Sequence, residues 1–401
     1  MKIKLGILRE GKVPPDRRVA LLPQQCVELM KQYAGLSIVV QPSDIRCVNN
    51  KEYTKVGIPL EENLKDCDVL LGVKEVPSHL LIPNKTYFFF SHTIKKQPHN
   101  QKLLQTALER KIRLIDYECL CDREGNRIVA FGRFAGIVGT YNGILLYGKK
   151  NKLFQLKRAY ECFDIAEIKD ELKKVKLGAI KFVLTGSGRV ANGAIEVFDY
   201  LGIKKVSIQE FLNNEFPFPV YVQLASKDYH MKKDGGGWNR EEFFLYPERF
   251  TSTFQQFLCK TDVLIAGAYW NPEAPALFDN EDMKKEDFRI QVIADITCDI
   301  GGSIPSTIKP TTIFEPAYDY NPYTKSIEPS FSGNNITVMA IDNLPGEVPR
   351  DASYDFGIQL MNNAFPYLIG DDKDRIIERS TLVNNGLLMP DFTYLCNYAG
   401  L

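Results

Sequence analysis

The sequence predicts an α/β fold built as two Rossmann-like, doubly wound parallel-sheet domains, and three observations carry that prediction. Short, continuously apolar runs alternate with helix-period segments, as in strands buried on both faces of a parallel sheet. The series starts again over Gly178–Ile293, beyond a long apolar segment. At 401 residues the chain has room for two domains at ~150 residues each. Hydrophobic residues make up 44% and charged ones 25%, a balance that excludes a disordered or fibrous chain.

The expected strands are Ile3–Leu8, Leu36–Gln41, Asp68–Val73, Thr86–Ser91, Arg113–Glu118, Phe182–Thr185, Val206–Gln209, Val263–Ala266 and Val292–Asp295, each bounded by Gly, Pro or charge. Between the fifth and sixth, Phe134–Tyr147 is apolar nearly all round with small residues interspersed, which suits a helix buried between two bodies. From about Val338 the pattern is helical, notably Tyr354–Leu368, and that tail can close back on the first domain. Domains are therefore expected over 1–135 with 341–401, and over 136–340. Lys227–Arg249, which contains Gly235–Gly237, reads as a polar loop or flap.

Lys plus Arg number 50 and Asp plus Glu number 50, so the basic excess that nucleic acids or anionic membranes require is missing. No apolar run reaches the ~18 residues of a membrane span, and charge appears too early for a signal peptide. Nine Cys, an odd count in a long chain, suggest reduced thiols and a cytoplasmic location. Cys119 and Cys121 lack a second Cys/His pair and the chain has four His, so no metal is expected.

After the apolar run Phe182–Thr185 comes Gly186-Ser187-Gly188-Arg189-Val190-Ala191-Asn-Gly193, followed by apolar residues at helical spacing. In that context the glycines fit a dinucleotide loop. Gly186 permits the tight turn, Gly188 lets the backbone approach a pyrophosphate, and Ala191 allows close helix–strand packing. The helix N-terminus then offers free amides to phosphate. The expected next strand ends at Glu210, where a carboxylate would accept from the adenine ribose and favour NAD over NADP, while a cation from the Asn213–Thr253 segment would leave NADP open.

Three polar sets follow expected strands of the first domain, where α/β sheets place ligands: Arg9 with Asp16-Arg17-Arg18, Gly72-Val-Lys74-Glu75, and Phe88-Phe-Phe-Ser-His92-Thr-Ile-Lys95. A lysine desolvated by Leu70, Leu71 and Val73 would have its pKa lowered from ~10.4 toward working pH. His92 can exchange protons near neutrality, and Arg18 can hold a carboxylate in a two-pronged fork. Each has a plain structural alternative: a solvated strand end, a hydrogen-bonded core histidine, a helix-start ion pair. In the second domain Asp295 reads as loop-ordering and Asp299 as nearer a cleft.

Together these residues resemble the alanine dehydrogenase and saccharopine dehydrogenase (L-lysine-forming) superfamily, more closely its saccharopine and lysine–ketoglutarate reductase branch. The anchors are Arg18–Pro23, Gly72–Glu75, Phe90–Lys95, Leu114–Glu118, Arg127–Gly136, Ala266–Trp270, Asp295–Gly302 and Ile341–Pro349. The resemblance implies an acid/base pair at Lys74 and His92 and a substrate-carboxylate arginine at Arg18. It implies further site charges at Asp16, Glu75, Lys95, Glu118 and Arg127, a carboxylate near the nicotinamide at Asp299, and an active site in the cleft between two domains. The Asn213–Thr253 insertion and Ala130–Gly136 resemble the reductase branch and favour a larger substrate, saccharopine, or lysine with 2-oxoglutarate. The second catalytic domain of the bifunctional enzymes has no counterpart within these 401 residues, so one step is expected. The competing expectations are an alanine dehydrogenase and a catalytically silent nucleotide sensor.

Overall fold

The computed structural model describes residues 2–401. It divides into two units, Met1–Phe131 with Pro349–Leu401, and Gly132–Val348. In the first, five parallel strands, β1 (Ile3–Ile7), β2 (Leu36–Val40), β3 (Val69–Leu71), β4 (Thr86–Phe89) and β5 (Arg113–Asp116), stand in the order β5-β4-β3-β1-β2. Antiparallel Thr381–Asn384 extends the β5 edge and Leu387–Leu388 follows it, so the C-terminal segment completes this sheet. Both faces are covered. Leu5, Ile7, Leu70, Leu71, Tyr87 and Phe89 are fully buried, which explains why these strands read as unbroken apolar runs.

In the second unit β6 (Lys181–Thr185), β7 (Val220–Leu224), β8 (Val263–Ala266), β9 (Val292–Asp295) and β10 (Ile336–Met339) are parallel, in the order β10-β9-β8-β6-β7. An antiparallel pair, Tyr318–Asn321 with Ser326–Glu328, flanks β10. The order reverses at β6, so the crevice at its carboxyl end is the position where doubly wound sheets bind ligands.

Two expectations need correction. Val206–Gln209 is not a strand: only Lys204–Lys205 pairs, and Ser207 caps a helix over Ile208–Asn213. The neighbour of β6 is instead β7, whose Tyr221-Val-Gln-Leu carries only a brief apolar alternation. The 227–249 segment is more than a loop, since His230–Lys232 pairs with Phe250–Ser252 and Arg240–Leu245 forms a helix between them. Phe243, Phe250 and Ala274 give this insertion a small core of its own, with Trp238 and Trp270 against it.

The long apolar helix, α1 (Gly132–Lys150), lies wholly in the second unit, on the glycine-loop helix α2 (Arg189–Tyr200). Two glycines make that approach possible. A Cβ at Gly136 would stand 1.9 Å from the Val190 carbonyl oxygen, and one at Gly193 would stand 1.9 Å from that of Arg133. Alanine gains ~1 kcal/mol of helix propensity over glycine, but a clash with backbone cannot be relieved by a rotamer change and overpacking costs ~1–3 kcal/mol or more. Gly193→Ala is therefore expected to lower the urea midpoint of unfolding, and an unchanged or raised midpoint would contradict this packing.

Candidate active site

Because β1, β3, β4 and β5 are parallel, the segments that follow them emerge along one edge of the sheet. Residues 8–18, 72–75, 90–92 and 117–118 thus come together although they lie far apart in sequence. Glu10, after β1, reaches over the end of β3: its Oε1 accepts from Val73 N at 2.7 Å and its Oε2 from Lys74 N at 2.9 Å. Asp116, at the end of β5, accepts from the backbone and hydroxyl of Ser91 and from Glu118 N. His92 itself takes a left-handed φ of 53°, turning the chain off β4.

These supports bring three side chains into line. Lys74 Nζ lies 3.4 Å from His92 Nε2, and His92 Nδ1 lies 3.2 Å from Glu118 Oε2. With Nδ1–H donating to the carboxylate, Nε2 presents a lone pair to the lysine. Burial, followed by the positive charges of Arg18 and Lys12, pushes the Lys74 amine down to about 8. Burial alone would raise Glu118, but the His92 hydrogen bond and the charges of His92, Lys95 and Arg127 outweigh it and hold the carboxyl at about 2. Glu10 moves the other way: burial and the neighbouring Asp16 raise it to about 7 despite the two amides. The result is an amine that changes charge near neutrality, coupled through an imidazole to a permanently ionised carboxylate.

The remaining expected residues fall around this line. Glu75 pairs with Lys12 at 3.2 Å and stands 4.0 Å from His92 Nε2. Lys95 and Arg127 each lie 3.4 Å from Glu118 Oε1 and are otherwise exposed. Arg18 is buried over the Phe131 ring, 4.3 Å from its centroid, and two of its nitrogens meet Asp16 at 3.0 and 2.6 Å. Its fork therefore faces Asp16, which the arginine charge holds below the usual carboxylate range against the cost of burial. Arg9 does not join the group and pairs with Glu62. Two participants escaped the sequence reading, Glu10 and Lys12. Both follow β1 closely, so the strand-end rule that picked out Arg9 would have reached them.

In the second unit Gly186 has φ +100°, and a Cβ there would stand 3.1 Å from the Ala268 backbone, as in a tight turn that only glycine suits. Gly188 caps α2, and a Cβ there would meet nothing within 4 Å, leaving room over the amides of Ser187, Gly188 and Arg189, all exposed. Val190 and the buried Ala191 form the first turn of α2. The loop thus suits a pyrophosphate. Glu210 does not serve it in the expected way. Its carboxylate accepts from Ser207 N and Oγ at 2.8 and 2.7 Å in a helix cap, and the strand beside β6 is β7, so the ribose position falls on Ala225–Asp228. Asp295 orders its loop, accepting from Thr297 and Thr307 hydroxyls, while Asp299 is exposed beyond it.

A dinucleotide-type loop in one parallel α/β unit and an ionisable strand-end cluster in the other define a nucleotide-dependent enzyme class. The description "Alanine dehydrogenase/PNT, C-terminal domain" matches residues 179–393 and its N-terminal counterpart residues 6–138. The chain belongs to this family, on its saccharopine dehydrogenase branch. It is 31% identical to the mitochondrial alpha-aminoadipic semialdehyde synthase of Mus musculus, over 98% of this chain and 47% of that protein. It is 25% identical to a saccharopine dehydrogenase [NAD(+), L-lysine-forming] of Emericella nidulans, over 88% and 89% of the two chains. The chain thus spans about half the length of the semialdehyde synthases it matches. An L-alanine dehydrogenase structure shares the fold, with a TM-score of 0.65 at 16% identity over 98% and 99% of the chains.

Proposed function

We propose that this chain is a nicotinamide-nucleotide-dependent oxidoreductase of the CH–NH type. On this reading it cleaves saccharopine reversibly to L-lysine and 2-oxoglutarate, or runs the same steps as a reductive condensation. The observation that carries the reading is the Lys74–His92–Glu118 line, with an amine poised at about 8. A bound nicotinamide would exchange hydride with the carbon of the substrate's C–N bond. The chain's own side chains do the rest. A secondary amine must be neutral before hydride leaves, and the Lys74/His92 pair takes that proton. Water then adds to the substrate imine and the carbinolamine expels lysine, steps that need a base and an acid in turn. The pair supplies both, with Glu118 stabilising the imidazolium, and its two titrations belong to the pair. Arg18 and Arg127 hold substrate carboxylates, Arg18 sharing its fork with Asp16. Glu75 and Lys95 tune the pair's charge, and Asp299 orients the reacting centre.

Two cofactor features refine the reading. Pyrophosphate is held by residues 186–191. The segment after β7 brings the exposed Lys227 to the ribose, while the Asp228 carboxylate is engaged by the Ala225 amide at 2.7 Å. A cation at that position would meet a 2′-phosphate, which favours NADP over NAD. The nine free thiols accord with a reducing compartment, and the cytoplasm is the location we propose. Alanine dehydrogenase activity and silent nucleotide sensing are the alternatives. Reduced-cofactor loss with lysine plus 2-oxoglutarate, against pyruvate plus ammonia, separates all three.

Three outcomes are expected. Lys74→Met and His92→Gln each lower turnover ~10²-fold or more with an unchanged melting temperature, and near-normal rates in both would refute the assignment. In the oxidative direction the neutral amine is required, so kcat/KM falls as pH drops below about 8, and a profile flat from 6.5 to 9 would contradict it. Lys227→Ala weakens NADPH binding about tenfold and leaves NADH unaffected, as read by equilibrium titration.

A further inference from the structure

The chemistry above leaves a proton to dispose of. In the oxidative direction the substrate enters as a secondary ammonium, its C–H gives up hydride, water supplies the new oxygen, and lysine departs as an ammonium. Hydrogen balance then leaves one proton per turnover on the Lys74/His92 pair, and the amine must lose it before it can act as a base again. Bound substrate occupies the side of the pair from which that proton came, so it must leave by another. The first unit holds a polar cavity of about 380 Å³, lined by Lys12, Glu75, Ser78, His99 and Asn100 with Leu103 among its apolar residues. At ~30 Å³ per water it has room for roughly a dozen. His99 is exposed, so the cavity reaches solvent.

Glu75 lines this cavity and also faces the pair. Its Oε1 meets Lys12 Nζ at 3.2 Å, and its Oε2 stands 4.0 Å from His92 Nε2, the nitrogen that faces Lys74 at 3.4 Å. Oε2 is buried and takes no hydrogen bond from another residue. Burial alone would raise the Glu75 carboxyl, but its own backbone amide and the charges of Lys12, Lys74 and His92 hold it below its usual value, so it is ionised and able to accept. When Lys74 passes its proton to Nε2, the ring becomes an imidazolium with Nδ1–H still on Glu118, and Nε2–H is drawn toward the free carboxylate oxygen. A side-chain swing of ~1 Å brings the two atoms to hydrogen-bond length.

We propose that this cavity is the proton exit of the catalytic pair, with Glu75 the relay between His92 and the cavity water. The His92 Nε2–H bond breaks and a Glu75 Oε2–H bond forms. The protonated carboxyl then gives its proton to a water, which hands it to solvent as hydronium. No electron is transferred and nothing but solvent takes part. In the reductive direction the same transfers run backwards and deliver a proton to Lys74. Lys12 keeps the carboxylate charged between transfers. This rests on the saccharopine reading above and adds to it a path separate from the one the substrate takes.

A relay differs from a binding group in that a small diffusing base can replace it. Saccharopine oxidation by the full chain is measured against imidazole concentration at fixed pH and ionic strength, in H2O and in D2O. The unmodified chain is expected to show a kcat independent of imidazole. Glu75→Ala lowers kcat about tenfold or more and raises its solvent isotope effect, and imidazole restores both along a saturating curve. Adding Ser78→Phe, which fills the cavity, abolishes that rescue. A kcat loss in Glu75→Ala that imidazole does not repair, or a raised KM with kcat kept, overturns the relay. Rescue that survives in the double variant puts the route elsewhere and overturns the cavity assignment. If Glu75→Ala does not fold, Glu75→Gln keeps the shape without carrying a proton, and a normal kcat and isotope effect there overturn the proposal. No saccharopine turnover by the unmodified chain with either cofactor overturns the saccharopine reading itself.

Discussion

Burying an amine beside an imidazole while surrounding it with carboxylates is the constraint on which the first unit depends. Lys74 could be neutralised simply by pairing it with an acid, but its Nζ hydrogen-bonds His92, and the carboxylates are deployed one step away. Desolvation then lowers the amine instead of a partner raising it, and the cations Arg18 and Lys12 push in the same direction. An ion pair would have held the lysine permanently charged and useless as a base. Placing the acid beyond the imidazole leaves the amine able to exchange its proton within a unit or so of neutrality.

That arrangement demands rigidity, and the supports are carboxylates of a different kind. Glu10 and Asp116 face backbone amides at the ends of β3 and β4 and are raised by burial, to about 7 and about 6. Glu118 faces cations and stays ionised. Four residue positions with the same functional group thus divide into frame and charge according to what each faces: amides at Glu10 and Asp116, guanidinium at Asp16, imidazole and ammonium at Glu118. The chemistry of the site is set by these environments more than by the list of residue types.

Much of this was legible in the chain. Parallel strands buried on both faces leave unbroken apolar runs, so β1 to β6, β8 and β9 were found near their true bounds, except β7 and β10. Those two have polar residues within them: Gln223 on β7, and on β10 Thr337, whose hydroxyl bonds Asp319. Val206–Gln209 failed for a local reason, since Ser207 and Glu210 form a capping box whose signal competes with a β-branched run. Lys74 and His92 could be singled out because each directly follows an apolar strand. Their distance from each other, and from Glu118, depends on sheet order, which no window of sequence contains. Glu10 was missed although it follows β1 as closely as Arg9 does: the strand-end rule marks the position, and only sheet order shows that its carboxylate reaches the amides after β3.

Sheet order also explains the error with the longest reach. Counting along the chain from the glycine loop leads to Glu210, because the next apolar run is assumed to be the next strand. Here the run is interrupted by a cap, the chain makes a short helix first, and the strand that pairs with β6 arrives only at Val220. The residues that follow the paired strand are then Ser226 and Lys227, and the chain continues directly into His230. A segment that looks like a polar digression in the sequence is thereby threaded through the one crevice where the sheet reverses. Once β7 is correctly placed, the segment that follows it, and not Glu210, stands at the carboxyl end of the strand beside β6, where doubly wound sheets bind ligands.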